Sequence, residues 1–153
     1  MTWKPNVTVA AVIEQDGRFL FVEEISGNDI VINQPAGHVE AGETLLEAVI
    51  RETLEETGHH FAPEALVGIY YWHALHKGIT YLRFTFSGRL TGHEPDRPLD
   101  EGILRAVWLT RDALVAESVR HRTPIVMRCL DDYLAGKRYP LDVVTTFSLG
   151  KQP

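Results

Sequence analysis

The sequence predicts an α/β (α+β) fold, a mixed β-sheet sandwiched between helices. Three observations carry this expectation. Several stretches alternate apolar and polar residues as strands do, two segments have helical apolar spacing with marked ends, and the two kinds interleave along the chain. The order β-β-α-β-β-β-α-α places helices on the faces of a sheet. At 153 residues the chain suits one domain, taken as 1–150, with one core and no linker, repeat or low-complexity tract.

Val7, Val9, Ala11 and Ile13 alternate, which suits a half-buried strand. Asp16-Gly17 is a favoured hairpin pair, and R-F-L-F-V-E-E reads as the return strand. Ser26-Gly27-Asn28-Asp29 is a loop, and Ile30 to Ile32 a short strand. Gln34-Pro35-Ala36-Gly37 reads as a turn. The spacing predicts a helix over 44–57, with Leu46, Val49, Ile50, Thr53 and Thr57 on one stripe and Gly58 at the left-handed C-cap. Strands are expected over 65–71 and 80–90, then a polar loop over 91–102, then the strand R-A-V-W-L. Helices are expected over 111–119 and 123–135, the latter with Thr123 as N-cap, Pro124 at the first position and Gly136 after the end.

The charge balance is 15 Lys+Arg against 21 Asp+Glu, net -6, which argues against a mainly electrostatic nucleic-acid binder. Anionic substrates remain open, because a metal ion reverses the local sign. One cysteine, Cys129, rules out an internal disulfide framework and a four-thiolate zinc site. It sits on the apolar stripe of the last helix and reads as a buried thiol. No signal peptide is visible, and V-T-V-A-A-V-I is far short of the ~20 residues a membrane span needs. The expectation is a cytoplasmic protein, monomer or homodimer, with a small-molecule substrate, no nucleic acid and no membrane.

The informative segment is G-H-V-E-A-G-E-T-L-L-E-A-V-I-R-E-T-L-E-E-T-G-H, from Gly37 to His59. On a helix Glu52, Glu55 and Glu56 share one face, offset by about 130° from the apolar stripe at ~100° per residue. Like charges so close destabilise an isolated helix by roughly 0.2–0.5 kcal/mol per pair, and near its C-terminus they also oppose the dipole. A solvated acidic face is the bland reading. A hard divalent cation would turn the repulsion into attraction, since Mg²⁺ takes oxygen ligands and pairs carboxylates with substrate phosphate.

The segment resembles the box of the Nudix hydrolases: G, five residues, E, seven residues, R-E-U-x-E-E-x-G-U, with U bulky and apolar. Gly37, Glu43, Arg51, Glu52, Glu55, Glu56 and Gly58 all match. Chance gives such a match with probability on the order of 10⁻⁸ per window. Thr53 and His59 depart from the apolar positions, so altered packing is expected and no lost chemistry. The resemblance extends to N-V-T-V-A, F-V-E-E, N-Q-P-A-G-H-V-E-A and R-Y-P-L, which are similar to family members acting on nucleoside tri- and diphosphates and on a pyrimidine diphosphate precursor of thiamine.

The resemblance implies a Nudix-type fold with the box as a loop-helix-loop holding Mg²⁺ or Mn²⁺ against a diphosphate. It implies Glu52, Glu55, Glu56 and the Gly37 carbonyl as metal ligands, and Glu43 with Arg51 as the pair fixing the loop on the helix. The fork of Arg51 suits a carboxylate, and Gly37 and Gly42 allow a tight turn. The implied reaction is metal-assisted hydrolysis of a phosphoanhydride. A carboxylate takes the proton from the attacking water. Glu52 or Glu55 is the first candidate, and Asp100 or Glu101 in the polar loop the second.

Trp72, beside Tyr70 and Tyr71, is a candidate to stack on a base; the alternative is a core role. Arg83 alternates with Leu82 and Phe84 and is a candidate for a phosphate contact or a surface ion pair. Gln34 and Asn33 are candidates to read a base edge. The histidines His59, His60, His73 and His76 make no convincing zinc set. The alternative to an enzyme is a non-catalytic Nudix-like domain that binds a nucleotide or metabolite. The complete set of box glutamates favours the enzyme.

Overall fold

The structure, a computed structural model, describes residues 1–148. The last two residues of the expected 1–150 domain therefore lie outside the described residues. The elements in chain order are β1 (Asn6–Val12), β2 (Glu14–Gln15), β3 (Arg18–Ser26), β4 (Asp29–Asn33), β5 (Ala36–His38), α1 (Leu45–Thr57), β6 (His59–Ala74), β7 (Ile79–His93), β8 (Ile103–Leu109), α2 (Arg111–Ala116) and α3 (Ile125–Leu134).

The strands form two sheets instead of one. The first has the order β5-β1-β7-β6, with β1 and β7 parallel and the other pairs antiparallel. In the second, β3 pairs with β2, β4 and β8. The expected hairpin is correspondingly smaller. Asp16 has φ 52 in the turn, and only Glu14–Gln15 pairs with β3. The chain has already bent away from β1, whose long partner is the distant β7.

β1 is not half-buried as its alternation suggests: Val9 to Ile13 are all buried. Val9, Ala11 and Ile13 pack with Ala48 and Val49 of α1, while Val12 packs with Val126, Cys129 and Leu130 of α3. A strand with a helix on each face is apolar on both. Fully burying one such large aliphatic side chain contributes about 1.5–3 kcal/mol.

Thr44 caps α1 by accepting the Glu47 N–H at 3.1 Å, and Glu47 returns the bond to the Thr44 N–H. Gly58 ends the helix at φ 73 and donates to the Leu54 carbonyl. The buried face is rotated from the expected stripe. Val49, Thr53 and Thr57 are inside, but Ile50 is 38% exposed and Glu52 and Glu56 are buried. Thr53 tolerates the core because its hydroxyl donates to the Val49 carbonyl at 2.8 Å.

β6 and β7 run longer than expected, pairing from His59↔His93 to Ala74↔Ile79. His59 stacks on His93 with ring centroids 3.9 Å apart, which extends the ladder into the expected loop and shortens that loop to 94–102. Pro63 falls at a register shift of this pair. α2 ends at Ala116 and is followed by a 3₁₀ turn, Ser118–Arg120. The Thr123 hydroxyl accepts the Ile125 N–H at the start of α3. Among the described residues no helix is long and apolar enough to cross a membrane.

Candidate active site

The loop entering α1 is tied to the helix by Arg51. Its Nε and Nη2 donate to the two Glu43 oxygens at 2.7 and 3.0 Å, a bidentate pair. Nη2 also donates to the His38 carbonyl at 3.1 Å. Nη1 donates to Glu52 at 2.8 Å and Glu55 at 3.1 Å. The Arg51 hydrogen bond holds Glu43 below the usual carboxylate range. One guanidinium thus fastens β5, the loop and two box glutamates together.

The remaining carboxylates are under-neutralised. Burial pushes Glu52 up to about 7, against the opposing effect of Arg51. Burial pushes Glu56 up to about 9, although Glu56 accepts the Ala36 N–H at 2.9 Å. Glu55 is raised by burial and by Asp100. Oxygens of Glu52, Glu55 and Asp100 lie within 4.8 Å of one another. The Asp100 N–H donates to the Glu55 carbonyl at 2.9 Å, which fixes the loop acid at the helix. Glu101 is exposed and outside this cluster. The fold therefore separates two neighbouring loop acids that the sequence leaves equivalent.

The box carboxylates fit a hard divalent cation: they offer several oxygens on one helix, and Glu52, Glu55 and Glu56 are raised chiefly by burial. Gly37 adds to the fit. A Cβ there would overlap the Glu52 carboxylate and push it from its place, so glycine lets the β5 backbone lie against it.

Beside this cluster a cavity of about 370 Å³ is lined by Gly37, Glu52 and Glu56 on one side and by Trp72, Tyr81 and Arg83 from β6 and β7. That volume suits part of a small ligand. A larger cavity of about 750 Å³, on the other side of Trp72, is lined by Tyr71, Arg128 and Tyr139 and by no box carboxylate. Trp72 is half-buried and stacks on Tyr81, with centroids 5.7 Å apart and planes at 18°. Tyr70 turns away, its hydroxyl donating to Asp132 at 2.7 Å.

Among the described residues Arg83 makes no ion pair. It is 6% exposed and donates to Gln34 Oε1 at 3.2 Å, Asn33 Oδ1 at 3.0 Å and Cys129 Sγ at 3.8 Å. Gln34 departs from its expected role as a base reader. It is 1% exposed, off the cavity wall, and its Nε2 donates to the Val126 carbonyl at 2.7 Å. Its amide joins Arg83 to α3, whereas Asn33 does line the cavity. Cys129 is buried as expected. Sequence reasoning missed Tyr81 and Arg122 on the cavity wall. Tyr81 stands two residues before Arg83 and so shares its strand face, a signal within reach. Arg122 precedes α3 in an irregular segment and carried none.

A family model for the NUDIX domain matches residues 2–129. Phosphatase NudJ of Escherichia coli K12 is 39% identical over 146 residues, 95% of this chain and 94% of that one. A solved NUDIX hydrolase from Nitrosomonas europaea is 59% identical, covers 94% of this chain and 98% of its own, and superposes with a TM-score of 0.92. A MutT NUDIX hydrolase from Burkholderia pseudomallei, at 21% identity and TM-score 0.72 over 85% of this chain and 98% of its own, shares the fold. With the box complete and its Glu52 and Glu56 at one cavity, the chain belongs to the Nudix family and is a hydrolase of phosphorus-containing anhydrides.

Proposed function

We propose that this protein hydrolyses a phosphoanhydride bond of nucleoside di- and triphosphates, or of the pyrimidine diphosphate precursor of thiamine, with Mg²⁺ or Mn²⁺. The observation that supports it is the junction of box carboxylates with an aromatic-walled cavity. Glu52, Glu55, Glu56 and the Gly37 carbonyl would hold the ion. When bound, it neutralises phosphoryl oxygens and lowers the pKa of a water.

The chain's own groups supply the rest. Arg51 orients Glu52 and Glu55 through Nη1, and Glu43 keeps the guanidinium in place. Glu56 is positioned by the Ala36 N–H. The proton of the attacking water goes to Glu55 or Asp100, the more open members of the cluster. Trp72 gives the heterocycle a face to lie against, and Arg83 contacts the substrate from the cavity wall.

The test is a screen of nucleoside di- and triphosphates and the pyrimidine diphosphate with Mg²⁺, reading phosphate and pyrophosphate separately. The expected result is release that stops on chelation. No release from any of these anhydrides would overturn the proposal.

A further inference from the structure

Arg83 combines burial with an incomplete set of partners. A guanidinium carries five N–H donors. Nη1 donates to Gln34 Oε1 and Cys129 Sγ, and Nη2 donates once, to Asn33 Oδ1. Among the described residues Nε–H and the second Nη2 hydrogen have no acceptor, and no carboxylate pairs with the group. The side chain is 6% exposed and lines the cavity. Among the described residues Arg120 Nε is the one fully buried side-chain donor without a partner, so the unpartnered Arg83 Nε–H reaches the accessible space of the cavity, and the apolar packing around Cys129 does not require a charge here.

The group is also held still. Gln34 is anchored to the Val126 carbonyl at 2.7 Å, and the Thr85 hydroxyl lies 3.1 Å from Cys129 Sγ. Bonds on three sides set the plane of the fork before any ligand arrives.

We propose that these open donors read the edge of the substrate's heterocycle, taking a carbonyl oxygen and the ring nitrogen beside it. The inference rests on the reading of this cavity as the substrate pocket. Its place in the sheet favours a ring edge over a phosphate. Gly37 lies on β5 and Arg83 on β7, two strands away in the order β5-β1-β7-β6, roughly 10 Å between backbones. Tyr81 shares the strand face of Arg83, and Trp72 is the cross-strand partner of Tyr81. A ring laid against this aromatic wall turns its edge to the fork. The atoms bonded to Arg83 are neutral, and the other guanidinium on the cavity wall, Arg122, is already paired with Glu24 at 3.2 Å.

The 6-oxopurine edge, O6 beside N7, matches an arginine fork, whereas adenine puts an amino donor where the oxygen would be. Calorimetry with Mg²⁺ present would compare GMP, 7-deaza-GMP, AMP and ribose 5-phosphate, none of which contains an anhydride. The wild type is expected to bind GMP roughly 5- to 150-fold more tightly than 7-deaza-GMP or AMP. Arg83→Lys and Arg83→Gln should remove that preference and leave ribose 5-phosphate binding unchanged. Equal affinities in the wild type, or no GMP binding at millimolar concentration, would overturn the proposal. So would variants that weaken all four ligands alike, which would mark an anion site instead. The wild-type series stands even where a variant fails to fold. Because nothing is hydrolysed, its outcome is separate from whether the protein cleaves any anhydride.

Discussion

Glu23 and Glu56 are each 7% exposed, yet their surroundings are opposite. Glu23, on β3, accepts from Arg105 on β8 and from Arg120 in the turn after α2. Glu56, on α1, accepts one backbone N–H, and among the described residues no cation pairs with it. Burial alone therefore does not mark a site. A buried carboxylate between two guanidinium groups ties elements together. One beside other carboxylates and a cavity is waiting for a charge from outside. Function is to be sought at buried carboxylates that the fold leaves uncompensated.

The largest effects should come from breaking the uncompensated side. If Asp100 is the base, Asp100→Asn lowers turnover by roughly 10²–10⁴ with little change in metal affinity. Glu101→Gln should leave turnover near wild type. Steady-state rates against Mg²⁺ concentration separate the two. Should Asp100→Asn keep full rate, Glu55 is the base to test next. Glu56→Gln should lower turnover by roughly 10²-fold or more, by analogy with the loss of metal-site partners, while the fold stays intact. Near-normal turnover at saturating Mg²⁺ would remove Glu56 from the ligand set.

Arg51→Ala lies between the two kinds of region, since this side chain serves both structure and site. It should reduce turnover and also destabilise by roughly 1–3 kcal/mol, because Glu43 loses its charged partner. Unchanged melting temperature together with unchanged turnover would contradict that double role. Glu23→Ala should show the structural half alone: a loss of about 1–3 kcal/mol in urea unfolding with turnover retained.

The smallest effect is on the pH dependence of stability. Glu52 and Glu56 are raised by burial, to about 7 and about 9, above the ordinary 4.5. Between those values and 4.5 the folded chain keeps protons that the unfolded chain has released. Their stabilising contribution is full below about pH 4.5 and is lost as pH rises toward 9. Metal-free protein should thus melt at lower temperature as pH climbs across this window. Glu56→Gln should flatten the slope, and Mg²⁺ should reverse it. A metal-free melting temperature that rises between pH 6 and 9 in wild type alone would contradict the raised carboxylates.

The box was legible because it is local. Gly37, Glu43, Arg51, Glu52, Glu55, Glu56 and Gly58 stand at fixed separations on one loop and one helix, and helical geometry alone brings the glutamates onto a shared face. The C-cap of α1, Gly58, was legible for the same reason, whereas Thr44, expected as the first helical residue, is the N-cap.

What stayed hidden depended on partners far along the chain. The alternation of β1 says nothing about a helix on each face, because that burial comes from α1 and α3 together. Gln34 could be a base reader or a strut; the bond to Val126, 92 residues away, makes it a strut. Asp100 and Glu101 are adjacent in sequence, and only the bond from the Asp100 N–H to the Glu55 carbonyl turns one of them to the cluster. Short-range spacing and backbone chemistry were enough to reveal the hydrolase box and the C-terminal stop of its helix in the sequence. The tertiary structure alone decided the split into two sheets, the burial of Arg83 and which loop acid joins the site, since each depends on long-range pairings that no local pattern encodes.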